Sequence, residues 1–302
     1  MAKEFMKGNE AIGEAAVRGG IRFFAGYPIT PQSELPEYLS WRLPEVGGCF
    51  VQGESEVASI NMVYGAAATG VRAMTGSSSP GISLKSEGIS YLSAAELPAV
   101  IVNMQRGGPG LGSIQPAQQD YLQATKAAGH GGFRMLVFAP YTVQEAVDIV
   151  YDAPEYAERD RSPVMILMDG CLGTMMEEVE LPPMKELPES PCKSWTVGYD
   201  GTKRGGHLIT PIYPEAGLEG KNKLAVQRTK RWEENDVRVE EFMVEDAEWV
   251  IVAYGISARV AKQVVIDLRE EGIKLGLIRP ITLFPFPKKS IANLDYTKVK
   301  GL

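Results

Sequence analysis

Over the first 180 residues, helix-type and strand-type hydrophobic patterns alternate along the chain. Apolar residues recur every three or four positions in the longer stretches, which is typical of amphipathic helices, and short apolar runs separate them. Continuous runs such as 99–102, 135–138 and 164–167 are typical of strands covered on both faces. The full pattern predicts, in order, helix 9–18, strand 21–24, helix 32–41, strand 49–52, helix 55–68, strand 99–102, helix 118–127, strand 135–138, helix 142–158 and strand 164–167. This rhythm predicts an α/β fold in which helices cover both faces of a parallel sheet.

The composition changes after about residue 180. Prolines and charged residues are frequent in 181–245, which predicts an extended linker and then a charged, solvated helix across about 215–240. A second strand–helix–strand pattern follows at 249–254, 257–271 and 275–278. We therefore expect a first domain at 1–180, a linker with a charged helix at 181–245 and a second, smaller α/β domain at 246–302.

The bulk composition limits the partners and the cellular location that we expect for this protein. The 302 residues carry a formal net charge of −7, which argues against a nucleic-acid partner, and 44% hydrophobic residues are enough for a large core. The start of the sequence lacks the apolar stretch of a secretory signal, and no apolar run is long enough to span a membrane. We expect a cytoplasmic protein with neither nucleic acid nor membrane as a partner.

The three cysteines, Cys49, Cys171 and Cys192, are far apart and form no Cys-x-x-Cys pair. Their spacing therefore predicts no zinc or iron–sulfur site in this chain. Cys49 and Cys171 lie in apolar, strand-like contexts, so we expect both to be small core residues. If the protein takes part in electron transfer, the cluster belongs to another subunit.

Candidate chemistry is concentrated where predicted strands end. Two prolines in 26–31 fix their own φ and restrict the residue before each, so Tyr27 and Thr30 are held in set directions. After strand 49–52, Glu54 and Glu56 stand at the start of the next helix. Polar groups at such strand ends lie where α/β sheets form their binding crevice. The residues alone leave open that both acids are surface groups, which are common at a helix N-terminus.

Five motifs, in one order along the chain, are shared with a known family. They lie at residues 8–11 (Gly-Asn-Glu-Ala), 27–31 (Tyr-Pro-Ile-Thr-Pro), 54–61 (Glu-Ser-Glu-Val-Ala-Ser-Ile-Asn), 77–81 (Ser-Ser-Ser-Pro-Gly) and 103–109 (Asn-Met-Gln-Arg-Gly-Gly-Pro). The chain resembles the α subunits of 2-oxoacid:ferredoxin oxidoreductases, which use thiamine diphosphate. Residues 109–112 are most similar to the branched-chain (2-oxoisovalerate) members, with the 2-oxoglutarate type next. The resemblance implies a pyrimidine-type thiamine diphosphate-binding domain, followed by a transketolase C-terminal-like domain that we expect to be truncated.

The resemblance also implies roles for particular residues. Glu56 would hydrogen-bond the aminopyrimidine ring of the cofactor, with Glu54 as its rival. Thr30 and Arg106 would bind the substrate, since a guanidinium can hold a carboxylate through two parallel hydrogen bonds. The other cofactor contacts would come from the apolar wall and the serine-rich turn, namely Tyr27, Pro28, Ser79 and Gly81. Without the resemblance, Thr30 is an ordinary turn residue, Arg106 is an exposed loop residue and the serine-rich turn is a helix cap.

Other motifs match known sites only in part. Residues 108–112 are glycine-rich but lack the spacing of a nucleotide-binding loop. Asp169 and Gly170 begin like the diphosphate–magnesium motif of thiamine enzymes, yet no asparagine follows before Asn222. His130 and His207 stand in glycine-rich loops with no catalytic partner at a suggestive spacing, so we expect structural or solvent-facing roles.

The incomplete diphosphate motif predicts a site divided between subunits. This chain would supply the aminopyrimidine half, and a β subunit would supply the diphosphate half with Mg²⁺. By resemblance, γ and iron–sulfur (δ) subunits complete the complex, a 4Fe–4S cluster lies in a partner, and ferredoxin accepts the electrons. The reaction would be oxidative decarboxylation of a 2-oxoacid with CoA, giving acyl-CoA and CO₂. A non-catalytic scaffold subunit and a nicotinamide-dependent dehydrogenase are the alternatives.

Overall fold

The computed structural model of the protein describes residues 3–126, 129–188, 195–199, 204–206 and 217–302. Its strands are β1 (Lys3–Lys7), β2 (Phe23–Gly26), β3 (Cys49–Gln52), β4 (Ala73–Ser77), β5 (Ala99–Gln105), β6 (Leu136–Phe138), β7 (Pro163–Asp169), β8 (Met176–Glu180), β9 (Val197–Tyr199), β10 (Arg204–Gly206), β11 (Val239–Phe242), β12 (Trp249–Val252), β13 (Leu275–Pro280) and β14 (Thr282–Phe284). Its helices are α1 (Gly8–Arg18), α2 (Glu34–Glu45), α3 (Glu56–Ala68), α4 (Ser79–Ala94), α5 (Tyr121–Thr125), α6 (Val143–Asp160), α7 (Gly170–Thr174), α8 (Gly217–Asn235), α9 (Gly255–Glu270) and α10 (Lys288–Ala292). Within these ranges, no helix has the length and apolar content needed to cross a membrane.

A seven-stranded sheet forms the centre of the molecule, in the order β14-β6-β7-β5-β4-β2-β3. All neighbouring pairs are parallel except β14 with β6. Gly26 of β2 pairs with Gln52 of β3, and Ser77 of β4 pairs with Asn103 of β5. The carboxyl ends of neighbouring strands are therefore level, and the segments that follow them meet along one edge of the sheet.

Helices cover both faces of this sheet, as the continuous apolar runs predict. Along β5, Val100 and Val102 belong to the core formed with α1, α2 and α6, whereas Ile101 belongs to the core formed with α3 and α4. Because successive side chains of a strand point to opposite faces, a strand buried on both sides needs apolar residues at nearly every position. The predicted α/β architecture is confirmed.

A smaller α/β unit follows α8. In it, β12 and β13 are parallel, β11 pairs antiparallel with β13, and α9 packs on this sheet. One residue after β13 the chain enters β14, which joins the large sheet beside β6. This second unit therefore contributes a strand to the first, which the hydrophobic pattern does not indicate. The exact domain boundaries at 180 and 246 stay predictions.

The charged helix of the predicted linker is α8, and it is not wholly solvated. Its Trp232 is buried, and the indole Nε1 donates a hydrogen bond to Asp160 Oδ2 at 2.8 Å. Arg159 and Arg231 also bind the Asp160 carboxylate. The helix is thus fixed to the end of α6 by one buried acid and several donors.

Several elements are absent from the predicted pattern. All five residues of β4 are buried, but they are mostly small, so no apolar run stands out in the sequence. Helix α4 starts two residues after β4, which places 77–81 at a strand-to-helix junction. β1 pairs with β8 in a separate two-stranded sheet. The predicted strand 21–24 is displaced to Phe23–Gly26, and the short helix α5 covers only part of 118–127.

The expectation that Cys49 and Cys171 are core residues is wrong, because both are exposed. Cys49 begins β3, which is the edge strand of the large sheet. Cys171 lies in the first turn of α7, beyond the buried strand β7. Cys192 lies outside the described residues.

Arg279 of β13 fixes the second unit to the first. Its side chain is buried, and its guanidinium donates two hydrogen bonds to Glu145 of α6, at 2.8 and 3.0 Å. A third bond, at 2.7 Å, reaches Glu240 of β11. We expect Arg279→Met to destabilise the protein by about 3 kcal/mol or more, because two carboxylates would lose a buried partner. Urea unfolding measures this cost.

Lys288→Met is the matched control for the Arg279 variant. Lys288 pairs with Glu233 at 3.3 Å, but both side chains are largely exposed. Such exposed pairs contribute about 0–1 kcal/mol. Equal unfolding midpoints for the two variants would show that Arg279 does not hold the units together.

Candidate functional site

Four consecutive strand ends of the large sheet deliver the predicted site residues to one edge. The 27–31 turn follows β2, Glu56 follows β3, Ser79 follows β4 and Arg106 follows β5. Because β5, β4, β2 and β3 are neighbours in that order, these segments lie side by side. The structure thus brings together the 27–31 turn, Glu56, Ser79 and Arg106.

Glu56 is the first residue of α3, and the helix start fixes its position. Ser55 caps the helix, since its Oγ accepts a hydrogen bond from the Ala58 amide at 3.1 Å. Glu56 is 7% exposed, whereas Glu54 is an exposed residue. No described residue donates a hydrogen bond to the Glu56 carboxylate. Burial therefore distinguishes the two acids in favour of Glu56, whose carboxylate is available to a ligand.

Gly81, in the first turn of α4, allows this carboxylate to approach closely. A Cβ atom at this position would lie 2.0 Å from Ser77 Oγ and 3.0 Å from Glu56 Oε1. Both distances are shorter than ordinary van der Waals contact, so a side chain at position 81 would displace Ser77 Oγ or the Glu56 carboxylate. Ser77 and Glu56 both border the space beside Gly81.

Several buried polar atoms at this edge lack a hydrogen-bond partner among the described residues. They include Ser77 Oγ, Ser78 Oγ and both amide atoms of Gln32. A Cβ atom on Gly76 would lie 2.3 Å from Gln32 Oε1, so the glutamine lies against β4 on the face opposite to the neighbouring Ser77. Because buried polar groups are normally satisfied, the two unpaired serine hydroxyls fit a ligand with hydrogen-bonding atoms. An aminopyrimidine ring is a ligand of this kind.

Lys85 lies one helical turn beyond Gly81 and is completely buried. Its ammonium donates to Thr75 Oγ1 at 3.0 Å and to the carbonyl oxygen of Glu56 at 3.5 Å. Burial lowers the pKa of Lys85 to about 8, although the nearby Glu56 carboxylate opposes this effect. The sequence does not single out Lys85 as a site residue, because this lysine lies in a helix that the hydrophobic pattern does not predict.

Arg106 is buried and supports the 27–31 turn. Its Nη1 donates to the Thr30 carbonyl oxygen at 2.9 Å, and its Nη2 donates to the Leu111 carbonyl oxygen at 2.7 Å. Asn9 supports the same turn from α1, because its Nδ2 donates to the Pro31 carbonyl oxygen at 3.0 Å. Asn9 is therefore a positioning residue within the 8–11 motif.

The side chains of the turn itself are open to the surroundings. Tyr27 is 40% exposed, and Pro28 and Thr30 are also exposed. The structure thus places Thr30 against Arg106 and presents an apolar Tyr-Pro surface beside them. Substrate binding by Thr30 and Arg106 stays a prediction.

Ser79 belongs to a buried polar network that sequence reasoning misses. Asp120 accepts hydrogen bonds from Ser79 Oγ at 2.6 Å and from Asn103 Nδ2 at 3.0 Å. The Asp120 amide donates to Gln105 Oε1 at 3.1 Å, and the Arg106 amide donates to Ser79 Oγ at 3.0 Å. Two polar side chains, at 103 and 105, within an otherwise apolar strand were the available signal. The network fixes the serine-rich turn to the end of β5.

The partial motifs have structural explanations. Asp169 caps α7, since its Oδ1 accepts from the amides of Cys171 and Leu172 at 2.9 and 3.2 Å, and burial raises its pKa. Residues 108–112 form an exposed loop, and His130 is exposed. His207 lies outside the described residues. In the described ranges, no group of three or more His, Cys, Asp or Glu side chains could hold a metal ion.

Two protein-family profiles match the chain. Residues 14–245 match the family described as pyruvate flavodoxin/ferredoxin oxidoreductase, thiamine diphosphate-binding. Residues 247–300 match pyruvate:ferredoxin oxidoreductase core domain II.

The chain is also similar in sequence to subunits of named 2-oxoacid oxidoreductases. The chain is 52% identical over 296 residues to ketoisovalerate oxidoreductase subunit VorB of Methanothermobacter marburgensis, covering 97% of this chain and 83% of the relative. It is 37% identical over 320 residues to 2-oxoglutarate synthase subunit KorA of Methanocaldococcus jannaschii, covering 99% of this chain and 87% of the relative.

A solved structure has a similar fold. It is 2-oxoglutarate:ferredoxin oxidoreductase from Magnetococcus marinus with 2-oxoglutarate, coenzyme A and succinyl-CoA bound. The TM-score is 0.86 at 27% sequence identity, and the match covers 99% of this chain. The chain spans 57% of the length of that solved chain.

Gly81→Ala tests the close approach at the site. The new methyl group would displace Ser77 Oγ or the Glu56 carboxylate, so we expect the affinity for thiamine diphosphate in the assembled complex to fall by about tenfold or more. Gly65→Ala is the control for the stability of the isolated chain, because nothing in the described chain lies within 4 Å of its Cβ position. Calorimetric titration compares the affinity of the Gly81→Ala complex with that of the wild type. An unchanged affinity for Gly81→Ala would contradict the proposed crowding.

Lys85→Met tests the cost of the buried ammonium. The folded pKa of about 8 lies below the ordinary 10.5, so between these values the unfolded chain binds more protons and stability rises with pH. We expect Lys85→Met to be more stable than the wild type by at most about 3 kcal/mol below pH 8. This difference should disappear above about pH 10.5.

Chemical unfolding at a series of pH values measures this trend. Lys289→Met, at an exposed position, controls for the loss of one positive charge. A wild-type protein that is more stable than Lys85→Met at every pH would show that burial does not penalise this lysine.

Proposed function

Because the chain belongs to the thiamine diphosphate-binding family of pyruvate flavodoxin/ferredoxin oxidoreductases, we propose that it is the α subunit of a branched-chain 2-oxoacid:ferredoxin oxidoreductase. The complex oxidatively decarboxylates a 2-oxoacid with CoA to acyl-CoA and CO₂, and ferredoxin receives the electrons. We place this complex in the cytoplasm. One observation carries the proposal: Glu56 is a buried carboxylate that receives no hydrogen bond from the described residues, at the edge where Gly81 leaves room beside it.

The residues at this edge fit the aminopyrimidine half of thiamine diphosphate. Glu56 supplies the carboxyl group for the ring nitrogen, and Ser77 and Ser78 offer hydroxyl groups that the described protein leaves unpaired. When bound, the cofactor supplies the thiazolium carbon that attacks the keto carbon of the substrate. The protein's own task is to hold the ring, to exclude water and to control the proton on its nitrogen.

The 27–31 turn and Arg106 form the substrate side. The guanidinium lies against the Thr30 backbone, so its charge is close to where a 2-oxoacid carboxylate would bind beside Thr30. Tyr27 and Pro28 offer an apolar wall that suits a branched side chain. The higher identity to the ketoisovalerate subunit than to the 2-oxoglutarate subunits also favours this substrate class. A 2-oxoglutarate enzyme is the second candidate.

A β subunit covers this edge and holds the diphosphate and Mg²⁺. The support is the outer surface of α3 and α4, where large apolar side chains are exposed: Val57, Met62, Leu84 and Tyr91. A helix that is apolar on all sides is normally buried on all sides, and α3 has this composition. The γ and iron–sulfur (δ) subunits, with a 4Fe–4S cluster and the ferredoxin site, complete the assembly.

Glu56→Gln tests the proposed role in the reconstituted complex. The amide cannot exchange a proton with the ring nitrogen, so we expect turnover to fall by about 10²-fold or more, the usual contribution of general acid–base catalysis. Glu54→Gln is the matched control, because this neighbouring acid is exposed. The assay is acyl-CoA formation from 2-oxoisovalerate, with 2-oxoglutarate and pyruvate as competing substrates. Full turnover by Glu56→Gln would favour the scaffold alternative.

A further inference from the structure

Lys85 is a buried charged group for which the proposed function so far gives no role. It is 0% exposed, although charged side chains are almost never fully buried without an ionic partner. Its hydrogen bonds go to two neutral oxygens, the Thr75 hydroxyl and the Glu56 carbonyl. A methionine of similar length would fill the same space without the cost of removing a cation from water. This cost indicates a function beyond packing.

The ammonium is held in a defined place. Thr75 Oγ1 donates its own proton to the Ala25 carbonyl oxygen at 2.7 Å, so towards Lys85 it can only accept. Two hydrogen bonds in series, from Lys85 to Thr75 and from Thr75 to Ala25, therefore connect α4 through β4 to β2. On the other side, the ammonium contacts the main chain of Glu56, the residue whose carboxylate borders Gly81. The Lys85 ammonium of α4 thus lies at the start of α3, which also carries the Glu56 carboxylate.

Glu56 is also the charged residue that acts electrostatically on Lys85. Around the ammonium, α3 contributes Glu56, whereas β4 and β2 contribute the neutral groups of Thr75 and Ala25. In such a poorly solvated place, a positive charge near a carboxylate is weakly screened. The state of Lys85 therefore changes the energy of a negative charge on Glu56.

We propose that Lys85 is a positioning residue for Glu56, and that its positive charge decides on which side of the Glu56–cofactor hydrogen bond the shared proton lies. With Lys85 charged, the carboxylate form is favoured, so the O–H bond is broken and the proton resides on the ring nitrogen. With Lys85 neutral, the proton returns to the carboxyl oxygen. The inference rests on the proposed function, because it requires the aminopyrimidine ring to bind at Glu56.

The charge on Lys85 is itself sensitive to pH. Since burial lowers its pKa to about 8, the ammonium form prevails at neutral pH and is lost as the pH rises through that value. The preference for a protonated ring nitrogen should fade over the same range. Lys85→Met should lack this transition and resemble the alkaline wild type throughout.

The test uses the assembled complex loaded with thiamine diphosphate that carries ¹⁵N at the ring nitrogen facing Glu56. Solid-state NMR distinguishes a protonated from an unprotonated ring nitrogen. In the wild type we expect the protonated signal at pH 7, with a change to the unprotonated signal at about pH 8. Lys85→Met should show the unprotonated signal already at pH 7. Identical signals in the two proteins at pH 7 would overturn the inference.

Thr75→Val provides a second variant that keeps the lysine. It removes the oxygen that orients Lys85 and should shift the nitrogen signal in the same direction as Lys85→Met, but less. If Lys85→Met does not assemble, this variant decides the question, and a wild-type signal in it would overturn the inference.

Glu56→Gln separates this inference from the proposed function. If Glu56→Gln changes the nitrogen signal and Lys85→Met does not, the lysine inference fails and the proposed function stands. If Glu56→Gln leaves the signal unchanged, the proposed function fails, and the inference fails with it. Cofactor affinity gives a further readout. Lys85→Met should weaken cofactor binding about tenfold when Glu56 is present and much less when Glu56 is replaced by Gln, because the effects of coupled neighbours are not additive.

Discussion

The site depends on how closely two helix starts approach each other at the carboxyl edge of the sheet. A side chain at position 81 would collide with Ser77 and with the Glu56 carboxylate, so a single glycine allows α4 to begin beside α3. The level ends of β3 and β4 determine where the two helices start. From this contact follow the burial of Glu56 and the proximity of Lys85 to its main chain.

The same edge contains polar groups that a purely structural core would avoid. A lysine without an ionic partner in the described structure, unpaired serine hydroxyls and an unpaired glutamine amide all lie at this end of the sheet. Each lowers stability, since buried polar atoms normally require partners. Natural sequences tolerate such conflicts mainly at functional sites, where a ligand or a second subunit completes the set. The exposed apolar surface of α3 and α4 is where we propose that a partner subunit binds.

Sequence patterns predicted the architecture, and they singled out the candidate site residues, because both depend on local signals. Continuous apolar runs identify strands buried on both faces, and the motifs around Thr30, Glu56 and Arg106 occur at strand ends. Three contributors escaped prediction for physical reasons. Lys85 lies in a helix with apolar residues on several faces, Asp120 precedes a helix of one turn, and the strand at 282–284 joins the large sheet from a distant part of the chain. Their contacts exist only after folding.

The proposed function requires Glu56 to meet the aminopyrimidine ring at an interface between subunits. A structure of the assembled complex with thiamine diphosphate, determined by cryo-electron microscopy, tests this most directly. We predict a Glu56 carboxyl oxygen at about 2.6–3.2 Å from a ring nitrogen, with the diphosphate held by the partner chain. A ring bound to another acid, or a Glu56 carboxyl that faces solvent with no partner surface opposite, would contradict the account.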